Sequence, residues 1–372
     1  MRIAMVGPTH PHRASMVHYT HSLANALART PGTTVRLLTY YNLFPKLLYK
    51  GGEEVSQAPL ALDPAIQVDR LLSWGNPLSW RRAARALAGA DVLHLQSWTG
   101  LLAPGMLALA RAARRRGIPV LVTLHNVRPH ELSHRLLSRL TRRLLHAADL
   151  VVVHADSLVE GAMAEYGLGR AALRVVPQGR YDDFDRHRLD RAQARRLLDL
   201  PPDATVLLCF GTIRDYKGLD VAIRTLALLP ANHLLLVAGH CWEPWEKYAA
   251  ILRETGTAGR VRTDLRYIPD EEVEAYFKAA DVSLLPYKNF EGQSAQALTA
   301  ATFGVPIVAS RLGGLTAILL PEFLVEPTDT AGFAAAVQAA ARRGASTVRP
   351  GATPTWAEVA AQTVALYAEA AA

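Results

Sequence analysis

The sequence is poor in cysteine and contains no long hydrophobic run. Its two cysteines, Cys209 and Cys241, lie far apart, so they can form neither a disulfide framework nor a zinc motif. No stretch of about 18 apolar residues occurs, which excludes a conventional transmembrane helix. The first apolar run is short and breaks at Gly7-Pro8, unlike the core of a signal peptide. We therefore expect a cytoplasmic protein.

Several common site motifs are also missing. The loop GPTHPHR, after the first apolar strand, lacks the GxGxxG spacing of nicotinamide-binding proteins. The histidines show no i,i+4 pairing with carboxylates of the kind that zinc sites use. No acidic pair stands at the end of a predicted strand, and Asp182-Asp183 lies where we expect an interdomain linker. We expect no metal and no organic cofactor.

Positive charge is concentrated in three segments of a chain whose formal net charge is +8. These segments, 81–85, 111–116 and 135–143, have the pattern of amphipathic helices. A solvated helix surface is the simplest interpretation. Peripheral contact with the inner face of an anionic membrane is the alternative, supported by the apolar and basic stretch from Phe44 to Lys50. Aromatic residues are not interleaved with the basic runs, so we expect no nucleic-acid partner.

Short apolar strands alternate with helical periodicity along the chain, which predicts an α/β fold. At least six strands precede residue 178, while residues 41–80 show no long periodic segment. A charged stretch at 178–190 has the composition of a linker, and Thr205 to Phe210 begins a second set of strands. With 372 residues, the chain is long enough for two domains, each with its own core.

The stretch from Ala280 to Gly314 has the most informative pattern. A strand is predicted at 282–285, then a polar loop with the carboxylate Glu291, and then a helix that Ser294 can cap. A second strand, 307–309, leads into Gly313-Gly314. Because the amino end of a helix presents unpaired amides, this layout predicts a phosphate site.

A second candidate loop is GTIRDYKG, residues 211–218, which follows the strand at 205–210. Two cations, Arg214 and Lys217, lie between its glycines. The departure of a diphosphate requires neutralisation of its charge, and a guanidinium with an ammonium can provide this without a metal.

These motifs resemble the donor-site signature of retaining GT-B glycosyltransferases of the family-4 type. The matching segments are Glu291-Gly292, Gly304–Ser310 and Gly313-Gly314, with further counterparts in DVLH, TLHN and RVVPQG. The resemblance implies two Rossmann-like domains facing across a cleft. Residues 1–178 would bind the acceptor, joined by the C-terminal helix 355–372 crossing back, and residues 190–354 would bind the nucleotide sugar.

The resemblance also implies which residues form the site. The family's loop glutamate contacts the hydroxyls of the donor sugar, which assigns that role to Glu291, and a strand-end histidine contacts the transferred sugar, which assigns it to His125. Arg214 and Lys217 complete the catalytic set. The donor-binding set is Gly211, Thr212, Arg214, Lys217, Glu291, Gly292, Gln293, Ser294 and Thr299.

The sequence departs from the family pattern at two of these positions. The family arginine usually follows the first glycine directly, where Thr212 stands here, and Arg214 is a displaced substitute. The second glutamate of the family, eight residues after the first, is replaced by Thr299. An inverting mechanism therefore stays open beside the retaining one, with His125 or Glu131 as the general base.

The function implied is carbohydrate biosynthesis: metal-independent transfer of a sugar from a nucleotide diphosphate to a hydroxyl acceptor. The acceptor classes considered are a lipid-linked saccharide, a polysaccharide intermediate and a small natural product. Two alternatives use the same fold: a nucleotide-sugar epimerase or hydrolase, and a non-catalytic protein that binds sugar nucleotides.

Overall fold

A computed structural model describes residues 1–12, 15–45, 61–127 and 135–372 of the chain. It divides into two compact units, one formed by Met1–Gly179 with Pro354–Ala372 and the other by Arg180–Thr353. Each unit contains one parallel sheet flanked by helices. The predicted α/β class with two Rossmann-like halves is confirmed.

The first unit is built on a seven-stranded sheet with the order β3-β2-β1-β4-β5-β6-β7. Its strands are β1 (Arg2–Val6), β2 (Thr34–Asn42), β3 (Gln67–Ser73), β4 (Val92–Ser97), β5 (Val120–Leu124), β6 (Leu150–Val153) and β7 (Leu173–Val175). Its helices are α1 (Ser15–Ala28), α2 (Pro77–Arg85), α3 (Ala103–Arg114), α4 (Arg135–Leu145) and α5 (Val159–Tyr166). Every residue of β4, β5 and β6 is buried, as expected for parallel strands covered on both faces.

Residues 41–80, where the sequence shows no long periodic segment, contain β3 and the start of α2. The sequence did not reveal either element, because neither carries a strong apolar signal. β3 is an edge strand with several exposed residues. The buried residues of α2 are the small Ser79 and Ala83, so the helix shows no stripe of large apolar side chains.

The last helix of the chain, α13 (Trp356–Ala371), belongs to the first unit. It begins with a capping box in which Thr355 and Glu358 satisfy each other's backbone amides. The ring of Trp356 packs edge-on against Tyr19 of α1, with 5.1 Å between centroids. Gly179 packs against the same indole. This contact requires glycine, because a Cβ at position 179 would lie 2.6 Å from the ring.

The second unit has a six-stranded sheet with the order β10-β9-β8-β11-β12-β13. Its strands are β8 (Thr205–Phe210), β9 (His233–Ala238), β10 (Val261–Asp264), β11 (Val282–Leu285), β12 (Ile307–Ser310) and β13 (Leu324–Val325). Its helices are α6 (Arg191–Leu197), α7 (Leu219–Ala227), α8 (Glu246–Thr255), α9 (Val273–Ala279), α10 (Ala295–Thr302), α11 (Leu315–Ile318) and α12 (Thr330–Arg343).

In this second sheet the chain order reverses beside β8, which pairs with β9 on one side and β11 on the other. Open α/β sheets bind ligands at such a switch point, beyond the carboxyl ends of the strands. The loops after β8 and β11 are residues 211–218 and 286–294, the two candidate loops of the sequence. We call them the Lys217 loop and the Glu291 loop.

Among the residues that the structure describes, no helix is both long enough and apolar enough to cross a membrane.

Candidate functional site

The Lys217 loop begins at a glycine that other side chains approach closely. Gly211 has a φ of +89°, a conformation that side chains other than glycine rarely adopt. A Cβ at this position would lie 2.6 Å from the amide nitrogen of Gln296 and 3.4 Å from the ammonium nitrogen of Lys217. The missing Cβ therefore lets two nitrogen donors, one of them cationic, lie close to the backbone of Gly211.

The charges beside Gly211 favour the binding of an anion. Burial, together with the positive charge of Arg214, lowers the pKa of Lys217 to about 8. A second cation beside a partly buried ammonium is unfavourable unless a negative group joins them. Two adjacent cations next to an obligatory glycine are therefore the arrangement that a diphosphate would stabilise.

The Glu291 loop leads directly into helix α10. Ser294 is buried, and its hydroxyl accepts a hydrogen bond from the amide of Ala297, at 3.3 Å, which confirms it as the helix cap. The hydroxyl of Tyr287 lies 3.1 Å from Ser294 Oγ and donates to Gln296 Oε1 at 3.1 Å. These contacts hold the side chain of Gln296 toward Gly211.

The glycine pair Gly313-Gly314 packs against the Glu291 loop. The amide of Gly314 donates to the carbonyl of Gly292 at 2.8 Å. A Cβ on Gly313 would approach the carbonyl oxygen of Phe290 to 2.8 Å, and one on Gly314 would approach that of Gly292 equally closely. The Gly313-Gly314 turn thus needs glycine, because a side chain there would prevent its close contact with the Glu291 loop.

The two candidate loops are also joined to each other. The amide of Lys288 donates to the carbonyl of Tyr216 at 2.7 Å. Gly218, with a φ of +70°, lies so close to Pro286 that a Cβ would overlap the proline carbonyl. The structure therefore brings together the predicted residues Gly211, Lys217 and Ser294 at one edge of the second sheet.

The other predicted donor residues lie on the same two loops and on α10. Thr212 and Arg214 are partly buried on the Lys217 loop, and Glu291 and Gln293 are partly buried on the Glu291 loop, with Gly292 buried between them. Thr299 is buried inside α10, where its hydroxyl donates to the carbonyl of Ala295 at 2.9 Å. Its hydroxyl proton is therefore already used within the helix.

His125, the candidate in the first unit, is buried in a chain of polar side chains. Its Nδ1 lies 2.9 Å from His154 Nε2, and its Nε2 lies 2.8 Å from the side-chain amide of Gln96. Burial first, and then the neighbouring His154 and His94, holds the pKa of His125 well below its usual value. Both ring nitrogens are thus occupied, and the role of His125 toward a sugar stays a prediction.

Hydrogen-bond geometry fixes the tautomers in this chain. The carbonyl of Val176 can only accept, so His154 Nδ1, at 3.0 Å, must donate to it. The Nε2 of a neutral His154 then accepts the proton on His125 Nδ1. The Nε2 of a neutral His125 is left as an acceptor, and the Gln96 Oε1 placed 2.8 Å from it also only accepts. We therefore assign the Gln96 amide the flipped orientation, with its nitrogen toward His125.

The other end of this series of hydrogen-bonded side chains contacts α13. His94 Nδ1 lies 2.7 Å from the hydroxyl of Tyr367, and His94 Nε2 lies 2.7 Å from Thr123 Oγ1. Burial lowers the pKa of His94 to about 3 and that of His154 to about 4. All three histidines are therefore neutral at physiological pH. Glu131, the other candidate base, lies outside the described residues.

Two residues of the site were not predicted from the sequence. Gln296 sits two positions after a helix cap, where nothing in its pattern signals a ligand contact. Trp242 follows β9, and its ring centre lies 4.4 Å from the guanidinium carbon of Arg214. In the sequence it is a tryptophan shortly after a predicted strand, which alone does not assign it to the site, whereas the structure shows that it is exposed.

No group of three or more histidine, cysteine or acidic residues in the described part of the chain is arranged to hold a metal ion. The predicted absence of a cofactor is not tested by this observation.

Comparison with known proteins identifies the family of both halves. The family described as Glycosyltransferase Family 4 matches residues 16–183, and the family described as Glycosyl transferases group 1 matches residues 204–343. The glycogen synthase of Mycobacterium tuberculosis is 30% identical over 80% of this chain and 71% of its own length. The predicted family is confirmed.

A second relative is the D-inositol 3-phosphate glycosyltransferase of Acidothermus cellulolyticus, 32% identical over 66% of this chain and 58% of its own length. Across the similarly named relatives, the matched region spans 44% to 65% of their length.

The fold is shared with solved structures. Anabaena Alr3699/HepE, crystallised with UDP-glucose, superposes with a TM-score of 0.66 at 16% identity, covering all of this chain and 98% of the other. At this identity the likeness concerns the fold alone. The sequence matches to both halves, and the parallel sheets that carry them, show that the chain belongs to the GT-B glycosyltransferases of group 1, family 4.

Proposed function

We propose that the protein transfers a sugar from a nucleotide diphosphate to a hydroxyl acceptor. The observation that carries the proposal is the group of nitrogen donors beside Gly211, formed by the ammonium of Lys217 and the amide of Gln296 and adjoined by Arg214. A diphosphate supplies negative charge that would stabilise the adjacent ammonium and guanidinium. The solved structure of a protein with the same fold, bound to UDP-glucose, agrees with a donor of this class.

In this proposal the second unit holds the donor and the first unit holds the acceptor. Lys217 and Arg214 stabilise the charge that grows on the diphosphate as the bond from the anomeric carbon to the phosphate oxygen breaks. Glu291 accepts hydrogen bonds from hydroxyls of the donor sugar. The acceptor oxygen forms the new bond to the anomeric carbon, and its proton passes to the departing phosphate.

This course retains the anomeric configuration, because the acceptor enters on the face that the diphosphate leaves. It also needs no general base from the protein. The buried His125 supports retention over inversion, since both of its ring nitrogens are engaged by Gln96 and His154. The anomeric coupling constant of the product, measured by proton NMR against that of the donor, tests this point.

The reaction is proposed to need no divalent metal, since two side-chain cations neutralise the diphosphate. Release of nucleoside diphosphate is measured with UDP-, ADP- and GDP-sugars, each with and without acceptor and with and without EDTA. We expect release that depends on acceptor and persists in EDTA. Loss of activity in EDTA with recovery in magnesium or manganese would contradict metal independence. Release without acceptor would instead indicate a hydrolase.

The acceptor panel covers the three predicted classes. Inositol phosphate represents small acceptors and is suggested by the name of the Acidothermus relative. An α-glucan represents polysaccharide intermediates and is suggested by the mycobacterial glycogen synthase. A membrane-lipid extract represents lipid-linked saccharides. Product formation with one class, and none with the other two, assigns the acceptor.

Peripheral contact with a membrane is a further part of the proposal. Helix α4 exposes Leu136 beside Arg139, Arg142 and Arg143. Each cation near an anionic surface contributes about 1 kcal/mol of attraction. Residues 46–50 of the other predicted contact lie outside the described residues. We expect the wild-type protein to co-sediment with vesicles that contain anionic lipid, and the double variant Arg139→Glu/Arg143→Glu to lose this binding. Equal sedimentation of the two proteins would contradict the membrane contact.

A further inference from the structure

The loop after β9 places a large aromatic residue next to the proposed diphosphate site. Trp242 is 42% exposed, one of the few large hydrophobic side chains of the described residues that solvent reaches to this extent. An indole is usually buried more fully, since its apolar surface is costly to expose. Its position at the carboxyl edge of the second sheet suggests a role in the site rather than in the core.

Backbone contacts fix where this tryptophan lies. The amide of Ile213 donates to the carbonyl of His240 at 2.9 Å, and the amide of Trp242 donates back to the carbonyl of Ile213 at 3.1 Å. This pair forms a short parallel bridge between the Lys217 loop and the loop after β9. Trp242 is therefore held beside Arg214, the residue that follows Ile213.

The contact between the two side chains is a cation–π interaction. The guanidinium carbon of Arg214 lies 4.4 Å from the centre of the Trp242 ring. The edge of His240 meets the same indole, with 6.0 Å between ring centroids and an interplanar angle of 81°. The electron-rich face of the ring attracts the guanidinium, which restricts where the Arg214 side chain lies.

We propose that Trp242 is a positioning residue that holds the guanidinium of Arg214 toward the diphosphate of the donor. The proposal rests on the proposed function and deepens it. Arg214 lies on a loop and is only partly buried, so its long side chain has rotamer freedom to lose on binding a diphosphate. An aromatic support reduces that loss.

The test is a double-mutant cycle on nucleotide binding. UDP, ADP and GDP are titrated into the wild-type protein, and the tightest of the three is carried through the variants with its monophosphate. Four proteins are compared: wild type, Trp242→Ala, Arg214→Ala and the double variant. Trp242→Phe tests rescue by another aromatic ring, and Leu228→Ala, which shortens an exposed apolar side chain at the far end of α7, is the matched control.

We expect Trp242→Ala to weaken diphosphate binding about fivefold to tenfold, the range of a partly exposed cation–π contact. Trp242→Phe should recover most of this loss, and Leu228→Ala should bind as the wild type does. The decisive comparison is the Arg214→Ala background, in which Trp242→Ala should change affinity less than twofold. The monophosphate should lose less affinity than the diphosphate.

Other outcomes overturn the inference. If Trp242→Ala weakens diphosphate binding as much in the Arg214→Ala background as in the wild type, then Trp242 contacts the ligand directly or only supports the loop. Unchanged diphosphate binding by Trp242→Ala would mean that Trp242 does not position Arg214. If the wild-type protein binds none of the three diphosphates, the proposed function itself fails, which is a result distinct from either of these.

Discussion

The ammonium of Lys288 lies 2.9 Å from a carboxylate oxygen of Asp220 and 3.0 Å from one of Asp215. Lys288 belongs to the Glu291 loop, whereas Asp215 lies in the Lys217 loop and Asp220 in the first turn of α7. The side chains of Lys288 and Asp220 are only 24% and 23% exposed, so water screens their ion pair less than a surface pair. This contact fixes the spacing of the two loops.

We predict that Lys288→Met lowers kcat/KM for the donor about tenfold, since small displacements of a site cost large factors in rate. Stability should fall by less than about 1 kcal/mol, the usual contribution of a partly exposed ion pair. Lys247→Met is the matched control, because Lys247 also pairs with Asp215 but extends from α8. Equal losses of kcat/KM in the two variants would contradict the role of Lys288.

Lys217→Ala and Arg214→Ala test the proposed neutralisation of the diphosphate. Each should lower kcat about 10²- to 10³-fold, the usual cost of removing one group that stabilises transition-state charge. Melting temperatures should change little, because a loop cation contributes little to folding. Arg253→Ala, which removes an exposed cation of α8, controls for the net charge. Near wild-type rates with saturating donor in both site variants would refute the assignment.

The pKa of Lys217, lowered to about 8 by burial and by Arg214, predicts a pH dependence of binding. Below pH 8 the free protein presents an ammonium, and above pH 8 it presents a neutral amine. Affinity for a nucleoside diphosphate should fall by up to about tenfold between pH 7 and pH 9. Lys217→Arg should remove this inflection, because a guanidinium stays charged.

Calorimetry gives a second measure of the same linkage. The bound diphosphate raises the pKa of Lys217, so binding at pH 8 should take up protons. The measured enthalpy should then vary with the ionisation enthalpy of the buffer for the wild type but not for Lys217→Arg. A buffer dependence that persists in the variant would place the titrating group elsewhere.

The histidine chain of the first unit predicts a defined tautomer. In 15N NMR spectra at neutral pH, His125 and His154 should both carry their proton on Nδ1, since Val176 requires a donor from His154. The contribution of these histidines to stability should be constant above about pH 6.5 and should fall at lower pH. In that range the unfolded histidines bind protons, whereas the buried ones, with a pKa of about 3 for His94 and about 4 for His154, stay neutral. An Nε2-protonated His125 would contradict the orientation derived for Gln96.

How far the sequence predicts this structure depends on the kind of signal. The apolar pattern predicts strands β8 and β11 with their observed bounds, because a strand buried on both faces appears as an uninterrupted apolar run. Edge strand β3 and helix α2 carry small or exposed residues and give no such run. The site glycines could be found because their loops need positive φ or close approach. Gln296 and Trp242 could not be assigned, since their contacts arise between loops that are distant in sequence.

Thr299 stands where the resemblance to family 4 leads us to expect a glutamate, and the structure shows one hydrogen bond that its hydroxyl already makes. Its hydroxyl donates to Ala295 within α10, so toward a ligand it offers only an acceptor lone pair. A neutral hydrogen bond contributes about 0.5–1.5 kcal/mol, compared with about 1.5–3 kcal/mol for one to a carboxylate. Recognition of the ribose at this position should therefore be weak.

We predict that 2′-deoxy and 3′-deoxy nucleoside diphosphates bind within about tenfold of the parent, since 1.4 kcal/mol corresponds to one factor of ten. Thr299→Val, which keeps the shape and removes the hydroxyl, should change the affinity for the parent less than threefold, about 0.6 kcal/mol. Competition titrations with the three nucleotides measure both effects. A hundredfold loss on removing either ribose hydroxyl would mean that another residue has taken the role of the missing glutamate. The ribose would then supply a large part of the binding energy, and Lys217 and Arg214 would contribute correspondingly less of it.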